Sequence, residues 1–171
     1  MTPEPDRGPV DVFTQPIRLE YDYTPGGARS RFLKALERGA IIGERCGRCG
    51  KVYVGGGSGA CARCGIPCSE VMDLSDRGTV TAFCIVNLPF AGATIEIPYT
   101  SASILLDGAD IPLMALIQEC PAADVRMGMR VEAVWAPEGE RTPSMDTIRY
   151  FRPTGGPDAP IDDVLKKMRD A

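Results

Sequence analysis

Five of the chain's seven cysteines, Cys46, Cys49, Cys61, Cys64 and Cys68, fall within one 23-residue stretch. Cys46-Gly-Arg-Cys49 and Cys61-Ala-Arg-Cys64 are C-x-x-C pairs separated by eleven residues, and each is followed by a glycine, Gly50 or Gly65. A C-x-x-C pair can wrap one side of a tetrahedral ion, so two pairs supply four thiolates. The glycines suit the tight turn that brings each pair together. Zinc fits four soft sulfur ligands, and iron in a rubredoxin-like site is the chemical rival. A closed four-thiolate shell leaves no open position for water or substrate, so its expected role is structural. Cys68, four residues after Cys64, could take that residue's place, but the repeated C-x-x-C-G pattern favours Cys64. Cys84 and Cys120 lie in or beside apolar strand-like segments and read as core residues.

The chain has no histidine. The commonest general base, the serine–histidine and cysteine–histidine pairings and most catalytic zinc sites are therefore out of reach. A carboxylate, tyrosine, lysine or thiolate could still act, but no catalytic residue stands out. The glycine-rich run at 55–59, GGGSG, lacks the lysine–serine/threonine ending of a phosphate loop and reads as a turn between the knuckles. A net charge of −4 argues against general nucleic-acid binding. No run of about 18 apolar residues suggests a membrane span. The proline-rich, acidic N-terminus is unlike a secretory leader, so the expected location is cytoplasmic. There, paired cysteines are metal ligands more often than disulfides.

Around the cluster, the pattern predicts a mainly β chain. Residues 1–27 read as an extended arm. RSRFLKALER (29–38) places Phe32, Leu33 and Leu36 at helical spacing before a glycine stop, and the zinc ribbon completes a unit over 28–72. GTVTAFCIVN (78–87), IPYTSASILLDG (97–108), PLMALIQE (112–119), MRVEAVWA (129–136) and DTIRYFRP (146–153) read as five strands. Their number and the short connector after the third suggest an OB-fold barrel over 73–153. A linker and an amphipathic helix, IDDVLKKMRDA, complete the chain over 154–171.

The basic helix, the two knuckles, LSDRGTVTAFCIVN and PYTSASILLDG together resemble domain-of-unknown-function family 35, over about residues 28–152. Family members join a rubredoxin-like zinc ribbon to an OB fold and accompany thiolase-like enzymes. The resemblance implies a non-catalytic accessory subunit of a thiolase-fold acyl-CoA enzyme. NLPFAGATIEIPYTSASILLDGADIPLMALIQ is most similar to partners of sterol-carrier-protein-type thiolases that cleave a β-hydroxyacyl-CoA by retro-aldol reaction in steroid side-chain degradation. It implies a hetero-oligomer in which the thiolase-fold subunit supplies the catalytic residues.

A coenzyme A thioester needs local positive charge for its phosphates. Residues 28–77 hold nine Lys and Arg against five Asp and Glu, and even with the charge of about −2 on a four-thiolate zinc this is the least acidic region. Arg29, Arg31, Lys34, Arg45 and Arg48 are accordingly candidate contacts to acyl-CoA or to the partner. Phe90 and Ile95, in the long connection between the first two barrel strands, are candidates for an acyl chain or a partner surface. Two other classes fit the same features: a stand-alone acyl-CoA binding or hydrolysing protein, and a single-stranded nucleic-acid binder on the OB barrel.

Overall fold

The computed structural model describes residues 19–55, 57, 59–89 and 95–170, with the side chains of residues 168 and 170 outside the description. Phe90 and most of the connection around it lie outside the described residues, as do residues 1–18 of the arm.

The first helix, α1 (Gly26–Glu37), buries Phe32, Ala35 and Leu36, one apolar stripe of a 3.6-residue repeat. It stops at Gly39, whose positive φ of 76° lets its N–H and that of Ala40 turn back onto the carbonyls of Leu36 and Ala35. Next comes a three-stranded antiparallel sheet, order β2-β1-β3, from β1 (Ile41–Arg45), β2 (Val52–Val54) and β3 (Glu70–Leu74). Gly43, at the centre of β1, lets both neighbours close in: a Cβ there would meet Val52 Cγ1 at 2.8 Å and Leu74 Cδ1 at 2.9 Å.

Five strands then form a closed barrel in the order β4-β5-β6-β8-β7: β4 (Arg77–Val86), β5 (Tyr99–Leu106), β6 (Leu113–Ile117), β7 (Arg130–Trp135) and β8 (Ile148–Pro153). A single 3-10 turn, Ala122–Asp124, links β6 to β7. All pairings are antiparallel except β6 with β8, which meet in parallel at Ile117 and Phe151. This is the OB arrangement expected from the five strand-like segments. Alternation along β5 sends Thr100, Ala102, Ile104 and Leu106 inward, all buried. Leu105 is buried as well, so the barrel's outer side is also covered at that end.

One apolar cluster unites the parts. Phe32 and Leu36 of α1, Ile41 and Ile42 of β1, and Val80, Ile104, Val131 and Phe151 of the barrel belong to it together. A polar clamp adds to this. Asp110, after β5, accepts from the Val52 N–H through Oδ2 at 2.8 Å, and its own N–H donates to the Val52 carbonyl at 3.0 Å. The C-terminal helix, α2 (Ile161–Asp170), has Asp162 and Asp163 in its first turn and Lys167 and Arg169 in its last, matching the helix dipole. Of the apolar face expected there, Val164 is buried while Ile161 and Leu165 remain exposed. Among the described residues, no helix is long and apolar enough to cross a membrane.

Candidate metal centre

Two hairpin-like knuckles bring the four cysteines together. The Gly50 N–H donates to the Cys46 carbonyl at 2.9 Å, and the Gly65 N–H to the Cys61 carbonyl at 2.8 Å, with φ of 75° and 68° at the two glycines. Each turn folds its second cysteine over its first. The Sγ atoms of Cys46, Cys49, Cys61 and Cys64 all lie within 4.8 Å of one another, and Cys49 and Cys61 approach to 3.6 Å. Four sulfurs at about 2.3 Å from a tetrahedral ion would stand roughly 3.8 Å apart, so the spacing fits such an ion. Cys68 is not one of the converging set; its N–H is tied to the Gly59 carbonyl at 3.0 Å.

The donor chemistry points the same way. A hydrogen bond from Tyr53 pulls the Cys61 thiol down to about 6, while burial and the neighbouring thiols push Cys64 up to about 12. Without a cation the cluster cannot carry four negative charges; a bound ion would hold all four as thiolates. The Cys64 N–H donates to Cys61 Sγ at 3.3 Å, a backbone contact suited to a ligating sulfur. Cys46 and Cys61 are buried, Cys64 is half-buried and Cys49 is exposed. These four residues could hold a metal ion, and a closed four-sulfur shell offers it no open position.

Tyr53 is a residue that spacing alone does not single out. Its hydroxyl lies 3.2 Å from Cys61 Sγ and accepts from the Ala62 N–H at 3.1 Å, bracing the second knuckle from β2. Only the pairing of β2 with β1 brings it there.

The candidate cations separate into two groups. Arg31 pairs at 2.6 Å with Glu44, whose side chain is only 4% exposed, so its charge is committed to a buried carboxylate. Arg29 donates to the Gly55 carbonyl at 2.6 Å and lies over the Phe32 ring. Arg45 reaches Glu70 at 3.6 Å and Met72 Sδ at 3.5 Å. Lys34 and Arg48 are exposed, and no ion pair engages either among the described residues. Ile95 lies elsewhere, on a cavity of about 470 Å³ at the barrel's end that Tyr99, Thr100, Ile117, Glu119 and Cys120 also line. At its rim Glu119 has a left-handed backbone, φ 60°, with its carboxylate held by the Tyr150 hydroxyl at 2.7 Å. Cys120 is half-buried, but Cys84 is exposed, contrary to the core position expected for it. The second half of β4 pairs with β5 but not with β7.

A three-stranded ribbon gathering four cysteines, packed on an OB barrel, defines the class to which this chain belongs. Residues 72–136 match the family model described as ChsH2, C-terminal OB-fold domain. A DUF35 domain-containing scaffold protein from Methanocaldococcus jannaschii is 36% identical over 101 residues, which cover 58% of this chain and 70% of the relative. The chain belongs to the DUF35 family. Two solved structures share its fold. The Ltp2-ChsH2(DUF35) aldolase matches with a TM-score of 0.57 at 18% identity, over 77% of this chain and 98% of that one. A DUF35-family protein of unknown function from Sulfolobus solfataricus matches with 0.55 at 19%, over 75% and 84%.

Proposed function

We propose that this chain is a non-catalytic accessory subunit of a hetero-oligomeric, thiolase-fold acyl-CoA enzyme, a retro-aldolase that cleaves a β-hydroxyacyl-CoA in steroid side-chain degradation. The observation that carries the reading is the identity to a DUF35 scaffold protein, and the shared fold with the DUF35 chain of an aldolase supports it. The arm (1–27) and the helix–ribbon unit (28–72) dock the partner, and the barrel (73–153) helps enclose the substrate. Zinc held by Cys46, Cys49, Cys61 and Cys64 cross-links the ribbon and supplies no open Lewis-acid site.

Within this reading, the five cations do not contribute equally to coenzyme A binding. Arg31, Arg29 and Arg45 are engaged internally, which leaves Lys34 and Arg48 as the phosphate contacts. Ile95 would border the acyl chain at the barrel's end, and Phe90, five residues earlier and outside the described residues, is the second candidate for that contact. The test is to assay the thiolase-fold subunit that co-purifies with this chain, alone and after assembly with it. Aldol cleavage should require both chains, and Lys34→Glu with Arg48→Glu should raise the KM for acyl-CoA. Full activity of the partner alone would sink the accessory role. Unchanged KM in the double variant would remove only the assignment of the two cations.

A further inference from the structure

Charge is divided unequally around the barrel. The β7–β8 side is laced with ion pairs: Arg77–Glu132 at 3.2 Å, Arg152–Glu132 at 3.1 Å and Arg149–Glu140 at 3.1 Å. The opposite side has none to make. No charged residue occurs from Gly78 to Ile95, nor within β5 or β6.

β4 is also only half enclosed. Its first residues, Arg77–Thr79, pair with β7, and Val80 exchanges backbone hydrogen bonds with Gly128 and Met129. A bulge between Val80 and Ala82 then swings the strand off β7, while pairing with β5 continues to Val86. Past the bulge, no backbone hydrogen bond reaches the outer edge of Ala82–Val86 among the described residues. Ala82, Phe83, Cys84 and Ile85 are exposed in succession, Phe83 and Ile85 at 37% each, so among the described residues neither face of the segment is fully covered. The edge carries no lysine, proline or inward-pointing charge, the usual devices that stop strand-to-strand association.

We propose that this edge is a self-association surface: Ala82–Val86 pairs antiparallel with the same segment of a second copy, about a two-fold axis at Cys84. The side chains are self-complementary in that register. Phe83 falls opposite Ile85 of the second copy and Ile85 opposite its Phe83, an aromatic–β-branched pair made twice. Ala82 falls opposite Val86, small against branched, and the cysteines meet at the axis. A chain of net charge −4 repels its copy over most of its surface, but this segment presents no charge to oppose the approach. An anionic membrane would require a basic rim, and this segment has no basic residue. The pairing joins two barrels into one continuous sheet through an isologous contact. It does not depend on the accessory role.

Sedimentation equilibrium of the full chain in the micromolar range should give twice the 18.4 kDa chain mass. Diamide, taking up the two thiol hydrogens, should join Cys84 to the second copy's Cys84, a bond that peptide mapping identifies. Cys84→Ser should stay dimeric and lose the cross-link. Ala82→Lys and Cys84→Lys should both give a monomer with an unchanged far-UV spectrum, and either decides if the other misfolds. A wild-type monomer overturns the proposal, including one whose edge accepts an uncharged strand of another protein. So does a dimer that survives a folded lysine variant, or one cross-linked at a different residue.

Discussion

Thr100 sits in the barrel wall between Ala102 and the chain's entry into β5, 2% exposed, and its Oγ1 has no hydrogen-bond partner. Its inward-facing companions on the same strand are apolar, so the hydroxyl is desolvated with nothing in return. Replacing it with the near-isosteric valine removes that unmet polar group. Thr100→Val should raise stability by about 1 kcal/mol, seen as a higher urea midpoint at unchanged slope; a lower midpoint would mean that the hydroxyl is satisfied in solution. Glu44 shows the opposite case. Its buried carboxylate is satisfied by Arg31, so Arg31→Ala should cost about 1–3 kcal/mol, while the Arg31→Ala, Glu44→Ala double variant should recover part of the loss. At this scale much was legible. The four cysteines declared themselves by spacing, whereas Arg31 and Lys34, three residues apart on one helix, looked equivalent until Glu44 was placed beneath one of them.

Among the elements, β4 is the strand on which the barrel turns. A Cβ at Gly78 would meet the Leu105 carbonyl oxygen at 2.6 Å and Ile104 Cγ2 at 2.9 Å, and neither backbone nor packed core can yield. Gly78→Ala should therefore destabilise by about 1–3 kcal/mol, measured by thermal or urea unfolding. The turn after β5 supplies a second test. Asp107 is held below the ordinary carboxylate range, chiefly by its hydrogen bond from Arg130, whose Nη2 lies 2.5 Å from Oδ2. A carboxyl depressed in the folded state stabilises above its unfolded pKa of about 3.9, and that contribution disappears as pH falls through the lower folded value. The stability gap between wild type and Asp107→Asn should be flat above about pH 5 and close below about pH 4. A gap that widens on acidification would contradict the pairing. The five strands were readable from alternation and turn residues. The bulge after Val80 was not, because Thr-Val-Thr-Ala reads as uninterrupted strand; hence Cys84, expected in the core, lies outside it.

For the molecule as a whole, the question is how far a metal's influence extends. The knuckles are held by short backbone turns and by the convergence of the four cysteines. The ribbon sheet instead shares its core with α1 and the barrel through Ile41 and Ile42 and is pinned by Asp110. Stripping the metal with a thiol-reactive mercurial and a chelator should release a single ion per chain. Amide protection should then fall across residues 46–68 while β5 and β7 keep theirs. Loss of protection throughout the barrel would show that the ion stabilises the fold globally, and release of no ion would remove the metal centre altogether.

Local pattern determined the four-cysteine cluster, the five barrel strands and the amphipathic helices, because these depend on spacings of a few residues along one chain, and the combined motifs carried the resemblance to the family. Tertiary structure decided which arginines are engaged, that Tyr53 braces a cysteine, that Asp110 locks ribbon to barrel, and that half of β4 pairs with β5 but not with β7. Each of these depends on atoms brought together from distant parts of the sequence, and on a single-residue slip in strand register that no hydrophobic pattern records.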